Sequence, residues 1–154
     1  MLSEEGEEII ENMGVYFSKS GRTPMKGRVF AYLLLADPPH KDFYDIQEAL
    51  EASKSSISLA LRSLQESNLV EYTTLKGNRR KHFKVNAEGW MRKSKESLLA
   101  TTAFNKIIEA VRKERDPNSY PEFNQKIDLM MSFHRELEKT IRAFIANWEK
   151  KYES

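Results

Sequence analysis

Apolar residues recur at helical spacing along most of the chain, and one short region switches to a period of two. Between residues 4 and 19, Ile9, Ile10, Met13, Tyr16 and Phe17 form a stripe. Glu4, Glu5, Glu7, Glu8 and Glu11 lie elsewhere on the same stretch, where acidic side chains suit a helix N-terminus. Ser20-Gly21-Arg22 breaks this helix, and Thr23-Pro24 caps and starts the next. That second helix runs to about Ala36 and is apolar on most faces, as a central core helix must be. Gly27 within it costs stability relative to Ala, and close helix packing is the expected reason. Asp37-Pro38-Pro39 ends it. Two shorter helical patterns follow, one carried by Ile46, Ala49 and Leu50, the other by Ile57, Leu61 and Leu64 with Ser53 as its N-cap. The first is barely two turns long and needs the second to pack against.

The period changes after Asn68, a good left-handed cap. Val70 to Leu75 reads as a strand, Lys76-Gly77-Asn78 as a turn and His82 to Val85 as a returning strand, with His40 to Phe43 as a short third strand. Asn86 or a neighbour then caps a long helix, expected from about Ala87 to Arg115, with Trp90, Leu98, Thr101, Phe104, Ile108 and Val111 on one side. A Pro-bounded loop, Asp116 to Pro121, precedes a last helix. There Phe123, Ile127, Met130, His134, Leu137, Ile141, Phe144 and Trp148 alternate steps of four and three, a heptad seam that needs a partner helix. Ile9 and Met13 at the N-terminus, with Ile127, Met130, His134, Leu137, Ile141, Phe144 and Trp148, are the expected dimer contacts. His134 fixes register in the plainer reading and is a pH-sensitive contact in the sharper one. The fold class that results is mainly α with a small β-hairpin wing: a winged helix-turn-helix domain (21–86) flanked by long N-terminal (1–20) and C-terminal (87–154) dimerisation helices.

Charge changes the picture by its distribution rather than its total. The whole chain carries +2, but from Ser53 to Lys95 ten cations against three anions leave +7, so the remainder is net acidic. A cationic patch on a near-neutral chain points to a polyanion. With Ile57, Leu61 and Leu64 turned inward, the helix after Ser53 presents Lys54, Ser55, Ser58, Leu59 and Arg62, together with the Ser53 and Ser56 hydroxyls of its first turn. Hydroxyls can bond phosphates or base edges, and small side chains let a helix sit deep in a major groove. Lys76, Asn78, Arg79, Arg80 and Lys81 crowd the hairpin tip and suit phosphates or a minor groove.

Several chemistries are excluded. There is no cysteine, hence no disulfide, thiolate metal site or Cys nucleophile. His40, His82 and His134 lack metal-ligand spacing, and no P-loop, dinucleotide fingerprint or nucleophile-elbow motif occurs. The expectation is a protein without enzymatic activity, metal or cofactor. The N-terminus lacks the cationic start and apolar core of a secretory signal, and Val29 to Ala36 is too short to span a bilayer, so a cytoplasmic protein is expected.

Gly27-Arg28, Leu33-Leu34-Leu35, Asp37-Pro38-Pro39, Ser53 to Ser58, Leu61 to Leu64, Asn68 to Glu71 and Gly77 to Lys81 together resemble the MarR-type winged-helix regulators. The resemblance spans roughly residues 15 to 92 and is narrower still to the glycine-betaine-synthesis regulator branch. It implies a homodimeric regulator of transcription, a repressor more than an activator, on double-stranded DNA with a pseudo-palindromic operator. Choline sensing in that branch implies a quaternary-amine effector, for which Tyr16 and Trp90 are the aromatic candidates. Two rivals differ in class: a winged helix used for protein contacts, and a nonspecific DNA-compacting protein.

Overall fold

The computed structural model describes residues 2–153. In chain order the elements are α1 (Glu4–Lys19), α2 (Pro24–Leu35), β1 (Lys41–Asp42), α3 (Phe43–Ala49), α4 (Lys54–Glu66), β2 (Val70–Thr74), β3 (Lys81–Val85), α5 (Ala87–Ala100), α6 (Phe104–Glu114) and α7 (Pro121–Tyr152). They form two compact units, one ending at Lys93 and the other beginning at Ser94, so α5 contributes to both.

In the first unit α2 is the core helix, with Val29, Phe30, Ala31, Tyr32 and Leu33 all buried. Thr23 caps it, accepting from the Lys26 N–H, and Pro24 occupies its first turn. Against it α1, capped by Ser3, buries Gly6, Ile10, Gly14 and Phe17. The two backbones touch where Gly27 meets Met13 and Gly14: a Cβ on Gly27 would lie 2.5 Å from the Met13 carbonyl oxygen and 3.0 Å from the Gly14 Cα. Close packing is therefore why a glycine is kept inside the core helix. Ile46 of α3 and Ile57 and Leu64 of α4 are fully buried, so the two short helices lock across each other and onto the core cluster. The sheet order is β1-β3-β2, antiparallel throughout, with Asp42 opposite His82 and Tyr72 opposite Phe83.

The second unit departs from expectation at one place. The single helix expected to reach Arg115 is broken into α5 and α6 at residues 101–103. Thr101 and Thr102 donate their hydroxyls to the Leu98 and Leu99 carbonyls, each at 2.6 Å, and the Thr102, Ala103 and Asn105 N–H groups bond three residues back. A tightened turn built on two β-branched residues ends one helix and aims the next. Farther on, Asn124 staples the α6–α7 corner. Its amide donates to the Asp116 and Ser119 carbonyls, at 3.0 Å each, and its Oδ1 accepts from Arg115 Nε at 2.7 Å.

The Gly27 contact is testable. Adding a methyl to a close backbone crossing costs about 1–3 kcal/mol, more than the roughly 1 kcal/mol of helix propensity gained. Gly27→Ala should therefore lower the urea unfolding midpoint, and a raised midpoint would contradict the crossing.

Candidate nucleic-acid interface

Helix α4 is built to expose one face. Ser53 sits in extended backbone before it, and its Oγ accepts from the Ser56 N–H at 3.2 Å, an N-cap. Ile57, Ala60, Leu61 and Leu64 are buried at i, i+3, i+4 and i+7. The opposite face, Lys54, Ser55, Ser58, Leu59 and Arg62, is exposed, Leu59 at 63%. Ser53 and Ser56 behave differently from the rest of the serine run. The Ser53 hydroxyl donates to Ser56 Oγ at 2.9 Å and lies 3.1 Å from Ser55 Oγ, and Ser56 is half-buried. These two close the helix start, whereas Ser55 and Ser58 point outward.

Helix α4 ends at Glu66, and Asn68 beyond its cap, with a left-handed φ of 56°, turns the chain into β2. At the hairpin tip Gly77 has φ 80°, the Asn78 N–H donates to the Leu75 carbonyl, and Asn78 Oδ1 accepts from the Arg80 N–H at 2.9 Å. Lys76, Arg79, Arg80 and Lys81 are all exposed. Their environments differ. Lys81 Nζ lies 4.3 Å from the centre of the Tyr72 ring. Arg80 donates to Asp42 Oδ2 at 2.7 Å, and its guanidinium lies 5.0 Å from the centre of the Tyr44 ring. Among the described residues Arg62, Lys76 and Arg79 have no ion pair. Like Arg80, Lys84 and Lys95 are paired locally: Lys84 with Glu71 across the hairpin at 3.1 Å, and Lys95 with Glu149 and Glu153.

Asp42 holds this face together. Its side chain is 8% exposed. Oδ1 accepts from the Tyr44 and Asp45 N–H groups at 2.8 and 2.9 Å, and the Asp45 carboxylate accepts from the Asp42 N–H, a reciprocal capping box for α3. Burial pushes the Asp42 carboxyl up, but the Arg80 hydrogen bond and the Asp45 and Tyr44 N–H groups outweigh it and hold the group below its ordinary value of 3.8. His82 Nδ1 bonds the Arg80 carbonyl at 3.2 Å with the His40 ring edge-on to it, which fixes the same backbone. Asp42 and Tyr44 were not among the candidates read from the sequence. The Asp42-x-x-Asp45 spacing was the available signal for a helix start, but nothing in linear order links it to Arg80.

Tyr16 and Trp90 do not face each other. They end a row of rings, Tyr16–Phe17–Phe30–Trp90, with centroid spacings of 6.2, 6.1 and 5.3 Å, and Arg22 lies over Phe17. A cavity of about 580 Å³ lies in the second unit, lined by Arg112, Arg115 and Arg135 among others and by no aromatic ring. Among the described residues no group of three or more His, Cys, Asp or Glu is placed to hold a metal ion. No described helix is long and apolar enough to cross a membrane.

The architecture is that of a winged helix-turn-helix flanked by N- and C-terminal helices. The chain is 30% identical over 102 residues to the HTH-type transcriptional regulator MmpR5 of Mycobacterium tuberculosis, a match covering 66% of this chain. It spans about 62% of that relative's length. A crystal structure described as a transcriptional regulator superposes with a TM-score of 0.65 at 21% identity, over 95% of this chain and 99% of the other, and shows the same fold. Staphylococcus aureus MepR, solved in complex with DNA, is a looser likeness, with a TM-score of 0.43 at 18% identity over 83% of this chain and 91% of that one. No protein-family model matches the chain.

The Asp42 environment predicts a pH dependence. Because its folded pKa is depressed, its contribution to stability is complete above the unfolded carboxylate value and is lost as pH falls through the lowered folded value. Asp42→Asn should flatten the fall in melting temperature between about pH 5 and pH 2 relative to wild type. Identical pH profiles for the two proteins would show that the pair does not form in solution.

Proposed function

We propose that this chain is a MarR-type, homodimeric DNA-binding regulator of transcription that represses from a pseudo-palindromic operator. The observation that carries the reading is the pairing, within one unit, of an exposed hydroxyl-and-cation face on α4 with an exposed cationic hairpin. An α-helix with small outward side chains fits a major groove, and a basic hairpin beside it fits the flanking backbone. On this reading Ser55, Ser58 and Arg62 are the residues of α4 that touch DNA, with Lys54 and Leu59 beside them. Lys76, Asn78, Arg79, Arg80 and Lys81 are those of the wing. The similarity to a helix-turn-helix transcriptional regulator supports the same reading.

The homodimer is supported by apolar surface that neither unit covers by itself. On α7, Met131 faces inward and Ile127, His134, Leu137, Ile141 and Trp148 are half-buried, while Phe123, Met130, Phe133 and Phe144 remain exposed. The His134 ring packs against Phe104 and Phe133. Phe104, Ile107 and Val111 leave a second apolar line on α6, and Ile9 is exposed on α1 beside half-buried Met13. A second copy applied about a two-fold axis covers such faces and sets two recognition helices about 34 Å apart, one DNA turn. Repression requires only that the dimer occupy a promoter.

An effector of quaternary-amine type, as in the glycine-betaine-synthesis branch, would use the exposed ring of Tyr16 or of Trp90, at the two ends of the row. Choline at millimolar concentration should then raise the melting temperature, and no shift would remove that reading.

The main test titrates the protein against duplex from upstream of its own gene and against mixed-sequence duplex at several salt concentrations. Arg79→Ala should weaken both and reduce the salt slope by about one. Ser58→Ala should weaken only the first. Equal affinity for both duplexes would favour a DNA-compacting protein, and no binding to either would favour a protein-contact module. Sedimentation at micromolar concentration should give a dimer for wild type and a monomer for Phe144→Glu.

A further inference from the structure

Tyr44 is 52% exposed, although it stands at the start of a helix whose other large apolar residues, Phe43 and Ile46, are half-buried and wholly buried. An aromatic ring left in water is informative when it organises something else. Here two cations from different elements gather on one ring: Lys54 Nζ from the first turn of α4, at 5.8 Å from the centroid, and the Arg80 guanidinium from the wing, at 5.0 Å. Phe43 packs edge-on against the same ring, at 5.8 Å, and fixes its orientation. Asp42, two residues before Tyr44, anchors Arg80 from the other side through the 2.7 Å ion pair while capping the helix that carries the ring.

Brought together without an anion, two cations repel each other. The ring's negative face offsets that repulsion, and Asp42 bonds only one of the two cations. The group of Lys54, Arg80 and Asp42 therefore keeps a net positive charge where the start of α4 and the hairpin meet one ring. We propose that Tyr44 is a positioning residue that holds Lys54 and Arg80 over a single phosphate of the duplex backbone, so that recognition helix and wing grip DNA as one clamp. This rests on the DNA-binding reading above. It assigns to Arg80 a fixed position rather than a mobile one at a loose hairpin tip, and it gives Lys54 a backbone role rather than a base-reading one.

The ring, not the phenol hydroxyl, is the working part, so the two obvious variants separate. Against a mixed-sequence duplex of about 30 base pairs, Tyr44→Ala should bind about tenfold more weakly, the scale expected for loss of a charge-assisted contact. Its salt slope should be shallower by about 0.9, one phosphate. Tyr44→Phe should keep the wild-type slope. In the double variant Tyr44→Ala/Arg80→Ala the loss should be no greater than in the worse single variant, because both act on one contact. Lys126→Ala, an exposed cation of the second unit, is the control and should leave the slope unchanged. Far-ultraviolet circular dichroism and melting temperature verify that Tyr44→Ala is folded. If it is not, the Tyr44→Phe slope and the Arg80→Ala/Lys54→Ala cycle decide in its place: multiplicative losses there overturn the clamp. A wild-type slope in Tyr44→Ala, with Arg79→Ala still shallower, overturns the role of Tyr44 and leaves the DNA-binding reading intact. A wild-type protein that binds no duplex overturns the reading itself.

Discussion

The Asp42 carboxylate receives three donors from two parts of the chain: the Tyr44 and Asp45 N–H groups on one oxygen and the Arg80 guanidinium on the other. The first two start α3. The third, 38 positions away, fastens the wing to that start. A buried carboxylate with fewer partners would be costly, since desolvation of a charge must be matched by hydrogen bonds to it. The order of the sheet follows the same logic. β1 is only two residues long, yet it pairs with β3 and places Asp42 opposite His82, two residues from Arg80. Strand pairing, helix capping and ion pair are thus satisfied at one residue. The wing has a defined position relative to α3, and through the fully buried contact of Ile46 with the core cluster, relative to α4 as well.

What the first unit presents outward follows from what it has to bury. Helix α4 spends Ile57, Ala60, Leu61 and Leu64 on the core, and the remaining residues are free to be chosen for chemistry. The hairpin has the same division: Phe83 and Val70 are buried, while Tyr72, Lys81 and the tip residues are not. The cationic character is also filtered by structure. Lys84 and Lys95 lose their availability to carboxylates, so the positive face is narrower than the charge count along the chain suggests, and it is concentrated on α4 and the hairpin tip.

In the second unit the constraint runs the other way. Helix α7 is long, α6 is short, and Met131 is the one large apolar side chain of α7 that is buried among the described residues. Polar staples do much of the joining: Asn124 ties the corner, Asn105 donates to the His134 carbonyl and Glu138, and Arg112 and Arg135 bridge to Asp128 and Glu109. Bonds of this kind set geometry with little net stabilisation, since each replaces hydration. The apolar side chains left outside are the larger reservoir of free energy, which the proposed dimer would draw on.

The elements of the first unit were legible in the sequence because their causes are local. Periodicity, the Ser53 and Thr23 caps, the Gly77 turn and the left-handed Asn68 are all decided by neighbours within a few residues. The helical course of α7 was legible for the same reason, as was the exposed face of α4. The break at Thr101 and Thr102 was not, because β-branched residues inside an otherwise continuous apolar pattern carry no obligation to stop a helix. The hydroxyl bonds to Leu98 and Leu99 that end it exist only once the chain has turned. Nor could the sequence tell that Ser56 joins Ser53 in closing the helix start, with Ser55 Oγ 3.1 Å from the Ser53 hydroxyl, while Ser58 faces outward. By itself, then, the sequence determined which stretches would be helix, strand and turn and where positive charge would gather. Only the tertiary structure decided which cations are held, by whom and in what direction, because Asp42, Tyr44, Lys54 and Arg80 meet through strand pairing and helix packing between residues that are distant along the chain.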